Sequence, residues 1–192
     1  KTTTSAFLTH LLHECQGNIS GFVGGIMTNY DSNLIASNDS EYIVVEADEY
    51  DRSFLRLKPK IAIITSLDPD HLDIYGTFEA MIQDFQTFAS RAEKRIVHAR
   101  LSDTFPNSIY YSCQSDPKNS NLIGSHSDHR GEESLASHNS KVNYTAENIS
   151  VRNGSFHFEV FRNGEILGSF SSQLPGRHNV ENALAAIATC AE

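Results

Sequence analysis

The chain has 192 residues, enough for one domain of ordinary size, with 39% hydrophobic and 20% charged residues, as in a soluble globular protein. Its net charge of −9 argues against a broad surface for nucleic acid or anionic membrane. No apolar run is long enough to span a membrane. The three cysteines are far apart in sequence, which favours reduced thiols in a cytoplasmic protein over a disulfide framework or a zinc site.

The first five residues, Lys-Thr-Thr-Thr-Ser, lead into a predicted helix, because apolar residues recur at three- and four-residue spacing from Phe7 to Cys15. A Lys-Thr pair at the start of a helix is also the end of a P-loop, whose lysine contacts phosphates and whose hydroxyl binds Mg²⁺. Helix capping is the alternative interpretation of these polar residues. Because the chain begins with Lys1 inside this motif, we expect it to be a piece of a longer protein.

A glycine-rich stretch, GFVGG, occupies residues 21–25 and precedes a predicted loop over residues 27–38. Glycine pairs of this kind usually mark tight turns, which is the structure we expect here. A substrate-binding loop is the alternative.

An apolar run with β-branched residues at positions 43–45 predicts a buried strand. Four carboxylates follow it, those of Glu46, Asp48, Glu49 and Asp51. Ligands of open α/β sheets bind beyond the carboxyl ends of strands, where a carboxylate can hold Mg²⁺. A solvated acidic loop is the alternative.

A second apolar run, residues 61–65, predicts a parallel strand that ends in another acidic loop. This loop contains Asp68, Asp70, His71 and Asp73, which are suited to metal binding or to accepting a proton. A capped turn with surface charges is equally compatible with the pattern.

The rest of the chain continues the alternation of strands and helices. A helix is predicted over residues 78–92, short strands at 95–99 and 108–112, and a long loop from 113 to 140. Two Asn-Gly turns indicate a three-stranded antiparallel meander over about residues 146–172. The pattern therefore predicts an α/β fold, with a mostly parallel sheet flanked by helices and a small antiparallel meander.

The last predicted helix carries Asn179 and Asn182 in its first turn. Residues three apart lie on the same face of a helix, so both amides can point the same way. An amide can pair with the edge of an adenine, since it is both a donor and an acceptor. Helix capping is the alternative, although it needs only one asparagine.

Taken together, these stretches resemble the central ATP-binding domain of the Mur ligases, a fold of the P-loop NTPase type. The likeness covers nearly the whole chain, and within the family it is greatest to the alanine-adding members. It is carried by KTTTS (1–5), GFVGG (21–25), VVEADEYDRSFL (44–55), TSLDPDHLDIYG (65–76) and LPGRHNVENALAAIA (174–188).

The resemblance implies an ATP-dependent ligase that adds L-alanine to UDP-N-acetylmuramate through an acyl phosphate, in bacterial peptidoglycan synthesis in the cytoplasm. It implies ATP and two Mg²⁺ ions as cofactors, and neither nucleic acid nor membrane as a partner. Such chemistry requires charge neutralisation at the γ-phosphoryl group and close positioning of two anions.

The resemblance also implies roles for individual residues. Lys1 corresponds to the phosphate-binding lysine, with Thr3 beside it on the ATP side. Thr2 and Glu46 correspond to ligands of the first Mg²⁺, and His71 to the ligand of a second metal. The adenine side is implied to comprise His178, Asn179 and Asn182, with Arg177 near ATP.

The family's glycine-rich phosphate loop, its UDP-sugar domain and its amino-acid domain have no counterpart in these 192 residues. We therefore expect residues 1–192 to be one central domain that is flanked by those domains in the whole polypeptide, and we expect it to be inactive alone.

Three alternatives remain open at this point. A recycling ligase that joins a preformed tripeptide to the same UDP-sugar shares the KTTTS, EADEYD and GxHNxxN patterns. A non-catalytic nucleotide-binding module and an unrelated P-loop ATPase are the others.

Overall fold

The computed structural model describes residues 1–69, 72–114 and 142–192, which form an α/β fold. The helices are α1 (Thr2–Gln16), α2 (Leu72–Tyr75), α3 (Phe78–Ser90) and α4 (Arg177–Cys190), with short 3₁₀ helices at Ser53–Arg56 and Ala99–Leu101. The strands are β1 (Ile19–Met27), β2 (Ser32–Ile35), β3 (Tyr42–Val45), β4 (Ile61–Ile64), β5 (Lys94–His98), β6 (Ile109–Cys113), β7 (Val142–Arg152), β8 (Ser155–Arg162) and β9 (Glu165–Ser172).

Six strands form one sheet in the order β4-β5-β6-β7-β8-β9. The strands β4 to β7 pair in parallel, and β7, β8 and β9 pair antiparallel. Both predicted hairpin turns are present, with positive φ at Asn153, Gly154, Asn163 and Gly164, the conformation that Asn-Gly sequences favour. The predicted meander is thus confirmed, and it continues the parallel sheet through the β6–β7 pair.

Helix α4 forms the centre of the largest core cluster. Its residues Val180 and Leu184 are fully buried and pack with Ile96 of β5, Tyr111 of β6 and Tyr144 of β7. On the other face of this sheet, residues of α3 pack against β4 and β5. The mostly parallel sheet with helices on both faces agrees with the predicted fold class.

Three further strands form a separate sheet in the order β2-β1-β3, with β1 and β3 parallel and β1 and β2 antiparallel. The prediction of tight turns at residues 21–25 is therefore wrong, because these residues lie inside β1. Strand β2 lies within the predicted loop over residues 27–38.

The glycines of β1 are explained by close packing. A Cβ on Gly21 would lie 2.5 Å from Cγ2 of Thr9, on the face of α1 that contacts β1. Any side chain at this position would push helix and strand apart, so a glycine in the strand permits close backbone approach.

The two sheets are joined by side chains. Val44 of β3 and Ile63 of β4 belong to one core cluster with Leu8 of α1 and Ala186 of α4, although β3 and β4 lie in different sheets. Helices α1 and α4 thus pack against both sheets, and the end of β3 lies near the first turn of α1.

Most of the predicted loop over residues 113–140 lies outside the described residues. Cys113 is the last residue of β6, and Cys15, Cys113 and Cys190 are free cysteines. Among the helices in the described ranges, none has the length and apolar character needed to cross a lipid bilayer.

Candidate functional site

Thr2 and Glu46 meet where the start of α1 approaches the end of β3. The Thr2 hydroxyl donates to Oε1 of Glu46 at 2.9 Å, and the Gly24 backbone N–H donates to Oε2 at 2.7 Å. A Cβ at Gly24 would lie 2.9 Å from that same Oε2. The glycine in β1 therefore allows the Glu46 carboxylate to be held on both sides, which fixes its position.

Lys1 forms an ion pair with Glu49, three residues after Glu46. The Glu49 side chain is 15% exposed and that of Lys1 is 44% exposed. The sequence assigned no role to Glu49, because four carboxylates in six positions look alike in the printed chain. The structure distinguishes them: Glu46 faces Thr2, and Glu49 faces Lys1.

The acidic loop after β3 is tied to helix α2. The hydroxyl of Tyr75, which is 5% exposed, donates to the Glu49 carbonyl at 2.6 Å. The Arg52 guanidinium lies 5.0 Å from the centre of the Tyr75 ring and pairs with Asp84 of α3 at 3.1 Å. Burial, followed by the nearby carboxylates of Asp84 and Glu49, raises the pKa of Tyr75 to about 12.

Helix α2 begins directly after the second acidic loop, so Tyr75 links the segments that follow β3 and β4. His71 and Asp70 lie outside the described residues. The predicted metal-binding role of His71 therefore stays a prediction.

Asn179, in the first turn of α4, contacts Asn182, which lies one turn further along the helix. The Asn182 Nδ2 donates to Oδ1 of Asn179 at 3.2 Å, and the Asn179 Nδ2 donates to the Pro175 carbonyl at 2.6 Å. The Thr4 hydroxyl donates to Oδ1 of Asn182 at 2.9 Å. Asn179 is buried and Asn182 is half-buried. The side chain of Asn182 is therefore oriented by two hydrogen bonds, one to Asn179 of the same helix and one from Thr4 of α1.

His178 and Arg177 lie on the exposed side of the same turn. Gly176 precedes them with φ of 97°, and a Cβ there would lie 2.7 Å from Nδ1 of His178. Only a glycine both adopts this backbone angle and leaves room for the imidazole ring. Arg177 donates to the Gln114 carbonyl at the end of β6.

The start of α1 is suited to binding an anion. Lys1 is its N-cap residue and makes no capping hydrogen bond through its side chain. The first backbone N–H groups of a helix have no partner within the helix, and with the helix dipole they favour negative charge. Thr3, half-buried, lies in this same turn.

Thr2 and Glu46 together offer hard oxygen donors, which Mg²⁺ prefers. Within the described ranges, no group of three or more His, Cys, Asp or Glu side chains is placed to hold a metal ion by itself. A Mg²⁺ ion usually takes only one or two carboxylates and completes its shell with water and substrate phosphates. The donor set beside the start of α1 therefore fits a magnesium ion that is shared with a phosphate ligand.

Comparison with known proteins places this chain in a family. The family model described as "Mur ligase middle domain" matches residues 1–190. A UDP-N-acetylmuramate–L-alanine ligase of Flavobacterium johnsoniae is 40% identical over 188 residues, which are 98% of this chain and 36% of the relative.

Solved structures agree with this match. The crystal structure of a UDP-N-acetylmuramate–alanine ligase from Thermotoga maritima superposes with a TM-score of 0.75 and 25% identity, over 98% of this chain and 38% of that one. A UDP-N-acetylmuramate:L-alanyl-γ-D-glutamyl-meso-diaminopimelate ligase from Neisseria meningitides shares the fold, with a TM-score of 0.72 and 22% identity, over 99% of this chain and 57% of that one.

The chain thus spans little more than a third of the length of the curated relative described above, and nearly all of its own length is matched. The chain belongs to the Mur ligase family, and residues 1–190 are its Mur ligase middle domain.

Proposed function

We propose that this chain is the ATP-binding domain of a ligase that joins L-alanine to UDP-N-acetylmuramate. The Thr2–Glu46 pair beside the start of α1 carries the proposal, because it brings a carboxylate, a hydroxyl and phosphate-binding amides to one point. The 40% identity to an alanine ligase supports the choice of amino acid.

In this proposal, the carboxylate of UDP-N-acetylmuramate attacks the γ-phosphorus of ATP, and ADP leaves. The amine of L-alanine then attacks the acyl phosphate, loses a proton and displaces inorganic phosphate. Lys1, which is paired with Glu49, neutralises phosphate charge. The first backbone amides of α1 donate hydrogen bonds to the phosphate oxygens. Glu49 limits where the Lys1 ammonium can go, so the lysine is positioned before ATP arrives.

Thr2 and Glu46 would hold the first Mg²⁺, which supplies charge neutralisation at the transferred phosphoryl group. We assign the second metal ion to His71. On the adenine side, we assign base contacts to Asn182 and His178, with Thr3 and Arg177 near the nucleotide. Asn179 contributes by holding Asn182 in place.

The enzyme acts in the bacterial cytoplasm, where ATP and the UDP-sugar are found together, with neither nucleic acid nor membrane as a partner. We assign UDP-sugar binding to a domain before Lys1 and amino-acid binding to a domain after Glu192, since relatives are far longer than this chain. Residues 1–192 alone are therefore expected to form no amide bond.

The test uses the complete protein with its flanking domains. ADP release is followed with Mg-ATP and UDP-N-acetylmuramate, after addition of either L-alanine or the L-alanyl-γ-D-glutamyl-diaminopimelate tripeptide. Turnover with alanine supports the proposal. Turnover with the tripeptide alone assigns the recycling ligase, and ADP release that does not depend on the UDP-sugar assigns a general ATPase.

A His71→Ala variant of the complete protein separates an enzyme from a nucleotide-binding scaffold. A ligase is expected to lose about 100-fold or more in turnover when a metal ligand is removed. A scaffold would keep its nucleotide affinity and show no turnover to lose.

A further inference from the structure

The sheet β2-β1-β3 has one covered face and one open face. On the covered face, Ile19, Val23 and Val44 are buried on the side of α1. The other face carries large apolar side chains that are exposed to between 46% and 70%. These residues, which we call the open sheet face, are Phe22, Ile26, Leu34, Ile43 and Val45.

The open sheet face is continuous. Phe22 pairs with Leu34 of β2 on one side and with Val45 of β3 on the other, so three apolar side chains form one row across the sheet. Ile43 precedes Val45 by two residues and therefore lies on the same face. Scattered exposed apolar residues are ordinary on a protein surface, whereas a contiguous patch of this kind indicates an interface.

Strand β4 of the six-stranded sheet shows the cover that the open sheet face lacks. Strand β4 is covered on both faces: Ile63 packs toward α1 and α4, and Ala62 packs with Phe54 and Phe88. Parallel strands are normally buried on both faces and consist of continuous apolar runs, as the Ile43–Val45 run does. The open sheet face thus has the composition of a buried one.

We propose that the open sheet face is an interface within the whole polypeptide, covered by an amphipathic helix from the part that precedes Lys1. The curated alanine ligase that matches this chain is far longer, since the match takes up only 36% of it. A helix is the expected cover because crossover helices ordinarily cover the faces of parallel sheets.

The positions of the two chain ends favour the preceding part. The Thr2 side chain is hydrogen-bonded to Glu46, which directly follows the strand that carries Ile43 and Val45. Glu192, at the other end, is bonded to Lys94 and Tyr144 of the six-stranded sheet. A segment that leads into Lys1 therefore lies at the carboxyl end of the sheet that carries the open sheet face, whereas a segment that follows Glu192 starts at the six-stranded sheet.

A second copy of the chain is a less suitable occupant. The chain carries a net charge of −9, and the exposed Glu41 directly precedes β3 at the edge of the face. Face-to-face pairing of two copies would bring these like charges together. A segment of the same polypeptide covers the face without this repulsion.

Hydroxyl-radical footprinting of the complete, unmodified protein tests whether the face is covered. We expect Ile43 to be oxidised about ten-fold more slowly than Ile166, an isoleucine of similar exposure in β9 that serves as the control. Equal oxidation rates would show that the face is open to solvent and would overturn the proposal. Protection that disappears on dilution would assign a second copy instead.

An Ile43→Cys variant of the complete protein identifies the occupant. A maleimide-linked photocrosslinker is attached, and mass spectrometry identifies the peptides crosslinked to position 43, as distinct from those crosslinked to the exposed Cys15 and Cys190. An Ile166→Cys variant is the matched control. We expect a peptide from before Lys1; a peptide from residues 115–141, from after Glu192 or from a second copy would overturn the assignment. Footprinting and crosslinking are independent of ligase activity, so either result leaves the proposed function to its own test.

Discussion

The hydroxyl of Thr4 donates to Oδ1 of Asn182 at 2.9 Å, across 178 positions of sequence. Thr4 lies two residues after Thr2 on α1, and Asn182 lies in the second turn of α4. This hydrogen bond therefore connects the proposed phosphate and adenine sides of one nucleotide site. Asn179 and Pro175 continue the connection on the side of α4.

A Thr4→Val substitution in the complete protein removes this donor and keeps the shape of the side chain. Thr4 is 3% exposed, so Asn182 loses a buried partner, and we expect a loss of about 1–2 kcal/mol in the free energy of unfolding. We also expect the KM for ATP to rise several-fold with little change in kcat, because orientation of Asn182 serves binding.

A Thr4→Ser variant is the control, since it keeps the hydroxyl. It should recover most of the ATP affinity. An unchanged KM for ATP in Thr4→Val would show that the bond serves folding alone.

A Glu46→Gln substitution tests the carboxylate between Thr2 and Gly24. The amide keeps an oxygen for one hydrogen bond but loses the charge that attracts a divalent cation. We expect turnover of the complete enzyme to fall about 100-fold, with a higher Mg²⁺ concentration needed for half-maximal rate. Kinetics over a Mg²⁺ titration measure both effects.

Glu79→Gln, at an exposed position in the first turn of α3, is the matched control and should leave both values unchanged. Wild-type Mg²⁺ dependence in Glu46→Gln would contradict a metal-binding role for Glu46.

Helices α1, α3 and α4 and the antiparallel meander could be predicted from the sequence because each carries a local signal, whereas β1 and β2 could not. The apolar spacing of α3 and the Asn-Gly turns of the meander depend only on neighbouring residues. Residues 21–25 were misassigned because their glycines respond to distant partners: Gly21 faces Thr9 and Gly24 faces Glu46. Contacts between residues that are distant in sequence cannot be predicted from local propensity.

The same limit applies to the candidate site. The Thr2–Glu46 pair could be anticipated from a motif, but the different partners of Glu46 and Glu49, Thr2 and Lys1, could not. The choice of partners depends on how α1 packs against β1 and β3, and the spacing of residues in the sequence does not show this packing. The burial of Asn179 likewise depends on the Pro175 carbonyl, which the LPG turn places beneath it.

A Gly21→Ala substitution tests the close contact of β1 with α1. The new Cβ would lie 2.5 Å from Cγ2 of Thr9, which is fully buried and, as a β-branched residue in a helix, has little rotamer freedom. We expect the free energy of unfolding to fall by about 1–3 kcal/mol in urea denaturation. Gly168→Ala in β9 is the control, because its nearest contact would be an ordinary 3.4 Å.

The double variant Gly21→Ala/Thr9→Ala sharpens this test. The Thr9 hydroxyl is buried without a hydrogen-bond partner in the described part of the chain, so its removal breaks no bond there. If the clash is the cause, the double variant should recover part of the stability lost in Gly21→Ala. Additive losses in the double-mutant cycle would exclude that cause.

A Tyr75→Phe substitution tests the link between the acidic loop and α2, and it has a signature in pH. The hydroxyl that donates to the Glu49 carbonyl is lost, so we expect about 1 kcal/mol less stability at pH 7.

The folded-state pKa of Tyr75 is about 12, above the unfolded value of 10.0, so the folded state binds this proton more tightly. The stabilisation is therefore complete below pH 10 and is lost as the pH rises through 12. Urea denaturation across this range should show a steeper fall of stability in the wild type than in Tyr75→Phe. Parallel curves would mean that the Tyr75 proton does not contribute to alkaline unfolding, whereas converging curves would confirm that the buried hydroxyl holds the acidic loop.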